Sequence, residues 1–268
     1  EAADDVVNGA LWARTSGKHW ERLLSYANAG VTDKLERLDI LGDGSAMFAT
    51  DLSKGKIWRS TDMGATFPKK ISTKDDLKTV APVSATTLYT GNVGEIWWST
   101  RSGTGWTKPD DSEIPASAAI INIGVAGDIV LVGAVGGVFI SSDGGETVEK
   151  VGSDNPFAAG LPTIATSDMA FADNGILYAT CPVPVTSDVM RCVVDLDNPG
   201  DAEWETIDEY QDSTGAVVYD ETSFVAGGPA ITLPPCGVLY VIDAMPVNTD
   251  TTPANYAGGL WRCTNPTA

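Results

Sequence analysis

Short apolar runs and polar turns alternate along the chain. Residues 57–60 read Ile-Trp-Arg-Ser and residues 138–141 read Val-Phe-Ile-Ser, and each run leads into the same polar pattern, Ser-x-Asp-x-Gly-x-Thr. No stretch of ten or more residues keeps a 3.6-residue apolar period over a polar face, so the pattern indicates strands rather than helices. With 28 Gly and 15 Pro available for turns, the sequence predicts an all-β protein of many short strands.

Weaker copies of the first run recur through the chain. The aligned apolar positions are Trp12, Trp58, Trp97, Phe139, Met190 and Trp261. A second apolar run precedes most of them, at residues 46–49, 87–90, 129–132, 176–179 and 238–241. Two strands per repeat leave room for two more, and four strands in about forty residues make a β-propeller blade. We therefore predict a β-propeller of four-stranded blades with about six repeats, and the spacing is compatible with five to seven.

The repeated turn resembles the Asp-box, or BNR repeat, Ser-x-Asp-x-Gly-x-Thr-Trp. This motif is found in sialidases, xyloglucan-cleaving glycosidases, sortilin-type receptors and photosystem assembly factors. Two copies match it, with other apolar residues in place of the Trp. Their residues are Ser60, Asp62, Gly64 and Thr66 in the first copy, and Ser141, Asp143, Gly145 and Thr147 in the second. The resemblance implies a propeller fold and no particular activity.

The residue types of the box predict a structural role. An Asp at the head of a tight turn accepts backbone N–H bonds, a Gly allows a positive φ, and a Thr hydroxyl closes the turn. The apolar residue that follows is expected to fill the gap between neighbouring blades, where burial contributes about 2 kcal/mol. In the enzymes that this chain resembles, the boxes lie on the face away from the active site. We expect Asp62 and Asp143 to hold turns rather than to catalyse.

The four cysteines suggest disulfide bridges. Cys192 and Cys263 take the position of the box serine, and Cys181 and Cys236 lie just upstream of them. We predict the bridges Cys181–Cys192 and Cys236–Cys263, each joining two strands of one blade. Four cysteines allow three pairings, and reduced buried thiols are the alternative. Bridges would indicate an oxidising compartment, and hence an extracellular or cell-surface protein.

Charge and composition exclude several classes of function. The net charge of −19 repels a phosphate backbone and an anionic membrane. The longest apolar stretch, residues 119–140, contains Asp128 and five glycines and is therefore not expected to span a membrane. The single His19 argues against zinc sites and histidine-based triads. No cofactor is predicted; calcium is the one ion that the acidic loops could bind, although no calcium-loop motif occurs.

The sequence contains only weak candidates for catalytic residues. Most of the seven arginines lie in or beside the boxes, which leaves too few for the three that grip a sialidase substrate. A xyloglucanase-like hydrolase needs two carboxylates across a cleft, and Asp111 with Asp212 is one pair in the predicted loops. Among 36 acidic residues such a pair is expected by chance.

We predict one domain, residues 1–268, which could be an excerpt of a longer chain. The preferred function is a non-catalytic, secreted or surface-displayed module that binds protein or glycan through its loops. The alternative is a glycoside hydrolase that uses two loop carboxylates. A third prediction is a homo-oligomer or a subunit of a surface assembly, in which identical copies meet through blade edges.

Overall fold

The structure is a computed structural model. It describes residues 10–16, 19–25, 37–41, 43–51, 55–67, 69–72, 77–153, 168–172, 175–180, 189–206, 210–211, 217–219, 230–233, 239–243 and 259–263. Within these ranges the regular elements are strands, with one 3₁₀ turn at Pro199–Asp201. The predicted all-β class is confirmed. No helix among the described residues is long and apolar enough to cross a membrane.

Residue contacts divide the chain into two compact units, Glu1–Lys108 and Pro109–Ala268. The first unit contains one hairpin and two antiparallel sheets, with the strand orders β1-β2, β3-β4-β5-β6 and β7-β8-β9. Its strands are β1 (Ala10–Ser16), β2 (His19–Ser25), β3 (Arg37–Ile40), β4 (Met47–Asp51), β5 (Lys56–Ser60), β6 (Lys69–Ser72), β7 (Thr79–Pro82), β8 (Leu88–Gly91) and β9 (Ile96–Ser99). A bridge between Trp98 and Thr107 occupies the place of a fourth strand beside β9. The prediction of a single domain stays a prediction.

The second unit contains two larger sheets, a short hairpin and a three-stranded sheet, with the orders β10-β14-β13-β12-β11, β15-β16-β17-β18, β19-β20 and β21-β22-β23. The strands of the larger sheets are β10 (Asp111–Ser112), β11 (Ile120–Ala126), β12 (Ile129–Ala134), β13 (Gly137–Ser141), β14 (Thr147–Lys150), β15 (Asp168–Phe171), β16 (Ile176–Thr180), β17 (Val189–Val193) and β18 (Glu205–Thr206). The others are β19 (Tyr210–Gln211), β20 (Val217–Tyr219), β21 (Ala230–Thr232), β22 (Leu239–Asp243) and β23 (Gly259–Cys263).

Both families of apolar runs are strands, as predicted. The aligned positions of the first family lie in β1, β5, β9, β13, β17 and β23, and the second family coincides with β4, β8, β12, β16 and β22. Apart from β1, each strand of the first family pairs antiparallel with the strand of the second family that precedes it. These are the second and third strands of a repeated antiparallel sheet. The number of repeats stays a prediction.

The β15–β18 sheet is buried on both faces. On one face, Leu177 and Met190 share a core cluster with Leu131 and Val138 of the sheet before it. On the other face, Tyr178 belongs to a cluster that includes residues of β21 and β22. Successive residues of a strand point to opposite faces, so an almost continuously apolar run is what a sheet between two others requires.

In the first unit, one face of the β3–β6 sheet is packed in the same way. Phe48 and Ile57 of the β3–β6 sheet share a cluster with Val80 and Leu88 of the β7–β9 sheet. On its other face, the first strand β3 leaves Leu38 and Ile40 exposed by 41% and 55%.

One carboxylate links the first strands β11, β15 and β21 of three sheets in the second unit. Asp168 of β15 accepts a hydrogen bond from the Asn122 side chain of β11 at 2.8 Å, through Oδ1. Its Oδ2 accepts one from the Ile231 backbone N–H of β21 at 3.0 Å. A hydrogen bond to a charged group is roughly twice as strong as one between neutral groups, so Asp168 fixes the spacing of these strands.

The outer edge of one sheet is covered by the chain itself. β10 runs parallel to β14, with Asp111 opposite Thr147, and the Asp110 N–H donates to the Glu146 carbonyl at 2.8 Å. Covering an edge in this way removes a template for pairing with other chains.

Candidate functional site

The first box turn is held by its own serine and aspartate. The Ser60 hydroxyl donates to Asp62 Oδ1 at 2.6 Å and accepts from the Gly64 N–H at 2.9 Å. The carboxylate of Asp62 then spans the turn, where it accepts the Thr66 N–H at 2.9 Å and the Thr66 hydroxyl at 2.6 Å. All of these contacts lie within the turn, so the carboxylate is engaged in holding it closed.

The second box turn repeats these contacts. Ser141 Oγ donates to Asp143 Oδ1 at 2.7 Å and accepts from the Gly145 N–H at 2.8 Å. Thr147 donates its N–H at 3.0 Å and its hydroxyl at 2.7 Å to the Asp143 carboxylate. Two copies with the same hydrogen bonds indicate a structural element rather than a reactive centre.

The hydrogen bonds lower the pKa of both aspartates. For Asp62, the Ser60 hydroxyl and then the Thr66 hydroxyl and amide lower the pKa from 3.8 to about 2. For Asp143, desolvation opposes the change, but the bonds from Thr147 and Ser141 together outweigh it, and the pKa is lowered. Donors that favour the charged form keep both groups ionised at neutral pH, whereas a catalytic acid requires a raised pKa.

A third turn, after β9, keeps the serine and lacks the aspartate. Ser99 Oγ accepts the Gly103 N–H at 2.9 Å and the Arg101 N–H at 3.2 Å. Arg101 stands at the Asp position, and the Thr104 hydroxyl closes the turn by donating to the Arg101 carbonyl at 2.7 Å. The serine is therefore the element common to all three turns.

The backbone of the three turns is the same, with two successive left-handed residues. These pairs are Met63 and Gly64 (φ 57° and 85°), Ser102 and Gly103 (54° and 75°), and Gly144 and Gly145 (75° and 98°). A Cβ on Gly64 would lie 2.6 Å from Leu23 Cδ1, and one on Gly103 would lie 2.6 Å from Ile71 Cγ2. Glycine is required at these two positions because the turns after β5 and β9 approach the outer strand of the preceding sheet, β2 and β6 respectively.

The turn after β9 is also tied to the preceding sheet by Arg59. Arg59 Nη1 donates to the Ala85 carbonyl at 2.8 Å and to Ser102 Oγ at 2.5 Å. Ser102 is buried, and its left-handed backbone directs it to this contact. The positive φ at a non-glycine residue thus has a packing reason.

The apolar residue after the turn packs between sheets in two cases. Trp106 packs against the cluster that joins the β3–β6 and β7–β9 sheets. Trp204 packs against the cluster that joins the β11–β14 and β15–β18 sheets, and its Nε1 donates to the Val151 carbonyl at 3.1 Å. The sequence analysis missed Trp204, because the longer turn after β17 displaces it from the expected spacing; its place directly before β18 was the available signal.

The predicted bridge between Cys181 and Cys192 is not formed. Cys192 is a free, buried thiol, and burial raises its pKa to about 12. It lies opposite Leu177, whereas Thr180, which precedes Cys181, lies opposite Val189. This register puts about 10 Å of strand between Cys192 and the end of β16, beyond the about 6 Å typical of bridged Cα atoms.

The second predicted bridge is not tested. Cys181 and Cys236 lie outside the described residues, and only the backbone of Cys263 is described. The same limit applies to the catalytic candidates, because Asp111 is exposed on β10 while Asp212 lies outside the described part of the chain. No group of three or more His, Cys, Asp or Glu among the described residues could hold a metal ion.

One open cleft lies on the β15–β18 sheet. It measures about 420 Å³ and is lined by Ile176, Arg191, Cys192, Val193, Asp201, Glu203 and Glu205. Arg191 Nε and Glu205 Oε2, on neighbouring strands, are 3.1 Å apart. Three carboxylates and a single arginine are among the lining residues, so the cleft is acidic overall.

Comparison with solved structures identifies the fold. A chain of the Mitotic Checkpoint Complex aligns with a TM-score of 0.53 and 12% identity, over 85% of this chain and 62% of that one. A structure described as YCF48 bound to D1 peptide aligns with a TM-score of 0.53 and 13% identity, over 85% and 67%. An ancestral GH74 enzyme aligns with a TM-score of 0.52 and 13% identity, over 85% and 32%.

The fold is a β-propeller. The predicted all-β propeller fold is thereby confirmed, whereas the blade count and the closure of the ring stay predictions; identities of 12% and 13% show the fold alone. The chain spans 62% of the length of the first of these propellers and 32% of the GH74 enzyme. No protein-family profile matches the sequence, and no curated protein is similar to it in sequence.

Proposed function

We propose that this chain is a non-catalytic β-propeller module that binds other proteins. The observation that carries the proposal is its fold similarity to a propeller seen with a bound peptide, YCF48 with D1 peptide, over 85% of the present chain. Propellers serve many functions, and the local geometry of this one favours binding. The two repeated aspartates make bonds within their own turns, and their lowered pKa values are the opposite of what acid catalysis requires.

The module belongs, in this proposal, to the Asp-box type. The support is the pair of hydrogen bonds that the Asp62 carboxylate accepts from the Ser60 and Thr66 hydroxyls, which recurs in the second copy. An extracellular or cell-surface location and recognition of glycans are further parts of the proposal. The net charge of −19 favours partners with basic surfaces, because opposite charges steer association.

Binding can be tested with defined probes. The purified chain is applied to an array of random twelve-residue peptides and to a panel of plant and bacterial polysaccharides, and retained probes are titrated by fluorescence anisotropy. The proposal expects saturable binding of a peptide class, weakened by salt if basic residues carry it. Absence of any saturable peptide binding by a chain with an intact β circular-dichroism spectrum would contradict it.

A glycoside hydrolase is the second candidate. Its support is the fold similarity to the ancestral GH74 enzyme and the exposed carboxylate of Asp111. The same polysaccharide panel, scored for released sugar, tests it. Turnover that is lost in Asp111→Asn or Asp212→Asn, with folding retained, would favour the hydrolase over the binding module.

A further inference from the structure

A row of three carboxylates lines the cleft on the β15–β18 sheet. Asp201, Glu203 and Glu205 are exposed and alternate along the segment that leads into β18. Between them, Ala202 and Trp204 point the other way and pack against the cluster that joins the β11–β14 and β15–β18 sheets. Alternate residues of an extended chain are about 6.5 Å apart, so the carboxylates repeat at about that distance.

Another part of the cleft lining is apolar. Val193 lies opposite Ile176 in the register of β17 and β16, so the two side chains share one face of the sheet. Ile176 is buried and belongs to the cluster with residues of β21 and β22, whereas Val193 is 69% exposed. An apolar strip therefore extends from the core to the solvent within the same cleft as the carboxylates.

The chain's own Arg191 shows which kind of group this row accepts. Arg191 lies opposite Glu205 in the register, and its Nε is 3.1 Å from Glu205 Oε2. Arg191 is two residues from Val193 in β17, so both side chains lie on the same face. A cation with an aliphatic stem thus already pairs with one end of the row, and the other members, Asp201 and Glu203, are exposed.

The spacing of the row favours an extended organic cation over a metal ion. All oxygen ligands of a calcium ion lie within about 2.6 Å of it, whereas carboxylates that alternate along an extended chain lie farther apart. The same two-residue spacing is that of side chains on one side of an extended partner chain. A lysine or arginine side chain combines an apolar stem with a charged head, and the cleft offers contacts to both.

We propose that this cleft binds an extended basic segment of another protein, with lysine or arginine at alternate positions. The charged heads pair with Asp201 and Glu203, and an aliphatic stem packs on Val193. The inference rests on the proposed protein-binding function and names the chemistry of the partner. Charge complementarity selects the partner, because the cleft is acidic where the segment is basic.

The probe is the peptide Gly-Thr-Lys-Thr-Lys-Thr-Gly with blocked ends, which carries two lysines at alternate positions. Binding is followed by NMR chemical-shift titration of the isotope-labelled chain at low salt. We expect saturable shifts of the amides of residues 191–193 and 201–205, and weaker binding as salt is added. The matched control, Gly-Thr-Lys-Lys-Thr-Thr-Gly, has the same composition. We expect it to bind about fivefold more weakly, since its adjacent lysines point to opposite sides of an extended chain.

Two double variants with the same change in charge test the site. Asp201→Asn with Glu203→Gln removes two members of the row, and Asp128→Asn with Glu149→Gln removes two carboxylates of the β10–β14 sheet. All four side chains are exposed, so both variants are expected to fold. We expect the first variant to lose at least about fivefold in affinity for the alternate peptide, and the second under about twofold. Equal loss in the two would show that only net charge matters and would overturn the proposal.

The apolar contact has its own variant. Val193→Thr keeps the shape of the side chain and replaces a methyl group by a hydroxyl, so the affinity should fall about threefold. Val83→Thr is the control, because Val83 is also an exposed valine, at 39%, and lies in the other unit. Equal affinity of the two variants would contradict the contact between the lysine stem and Val193.

Other ligands give distinct results. If spermidine displaces the alternate peptide and the two peptides bind equally well, the cleft accepts any polycation and the proposed partner is wrong. If peptides selected on the array bind the Asp201→Asn, Glu203→Gln variant as tightly as the wild type, the protein-binding function stands and this site is rejected.

Discussion

The turn after β5 and the turn after β9 have the same backbone and different hydrogen bonds. In both turns, the third and fourth residues after the serine have left-handed backbone. In both, the serine hydroxyl accepts the N–H of the glycine at 2.9 Å. Only the first has a carboxylate spanning the turn, at Asp62; in the second Arg101 makes no equivalent side-chain contact with residue 105. The comparison shows that the serine and the close-packed glycine define the turn, and that the aspartate reinforces it.

The largest effect is expected from the apolar residue that follows the turn. Trp106 and Phe67 are both half-buried, but Trp106 packs against the cluster between two sheets, and Phe67 is not among the residues of that cluster. Trp106→Ala should cost about 3 kcal/mol in the free energy of unfolding, and Phe67→Ala about 1 kcal/mol. Urea unfolding followed by circular dichroism measures both.

A second tryptophan variant separates packing from hydrogen bonding. Trp106 Nε1 is buried and has no hydrogen-bond partner among the described residues. Trp106→Phe keeps an aromatic ring and deletes this donor, so we expect it to cost under about 1 kcal/mol. A loss equal to that of Trp106→Ala would mean that the full indole, and not merely an aromatic ring, is needed between the sheets.

The box turns could be predicted from the sequence because the residues that form each turn are close together in the chain. Ser60, Asp62, Gly64 and Thr66 lie within seven residues, and their chemistry alone dictates the hydrogen bonds. The second and third strands of each repeat could also be predicted, because an apolar run between turn residues indicates a strand in an all-β chain.

Long-range features could not be read from the sequence. β10 pairs with β14, although the sequence of β10 has no strand pattern. The hydrogen bonds that link Asn122, Asp168 and Ile231 join three different sheets. Cys192 was aligned correctly with the box serine, but that position faces inward, where the thiol packs in the core. A spacing argument alone gave no information on the direction of the side chain.

Replacing the serine of a turn should have the next largest effect on the free energy of unfolding. Ser99 and Ser60 are both buried, and replacement by alanine leaves the glycine N–H without its acceptor. Each substitution should cost about 2 kcal/mol by urea unfolding. We expect Ser99→Ala to be the more damaging of the two, because no aspartate supports that turn. If Ser60→Ala were clearly worse, the serine would act mainly by orienting Asp62.

The contribution of Asp62 to stability should depend on pH. Its pKa is about 2 in the folded chain against an ordinary 3.8, so its stabilisation is complete above about pH 4 and is lost as the pH falls towards 2. Urea unfolding at several pH values in this window should give a shallower decline for Asp62→Asn than for the wild-type chain. Part of the decline should remain, since the pKa of Asp143 is also lowered.

The control for the acid experiment removes a carboxylate that lies outside the box turns. Asp128→Asn changes an exposed residue between β11 and β12, and its acid profile should follow the wild type. An identical profile for Asp62→Asn and Asp128→Asn would show that the turn carboxylate does not contribute to stability.

The smallest effect is a gain, obtained by building the missing reinforcement into the turn after β9. Arg101→Asp restores the carboxylate, and Gly105→Thr supplies the donor at the position that Thr66 holds in the first box. A Cβ on Gly105 meets nothing within 4 Å, so the side chain has room. Together they should raise the free energy of unfolding by about 0.5 kcal/mol at neutral pH, and Arg101→Asp alone by less, because Gly105 offers only its amide.

The gain should vanish on acidification, when the new carboxylate is protonated. A double variant that is no more stable than wild type at any pH would mean that the serine and glycine already satisfy this turn.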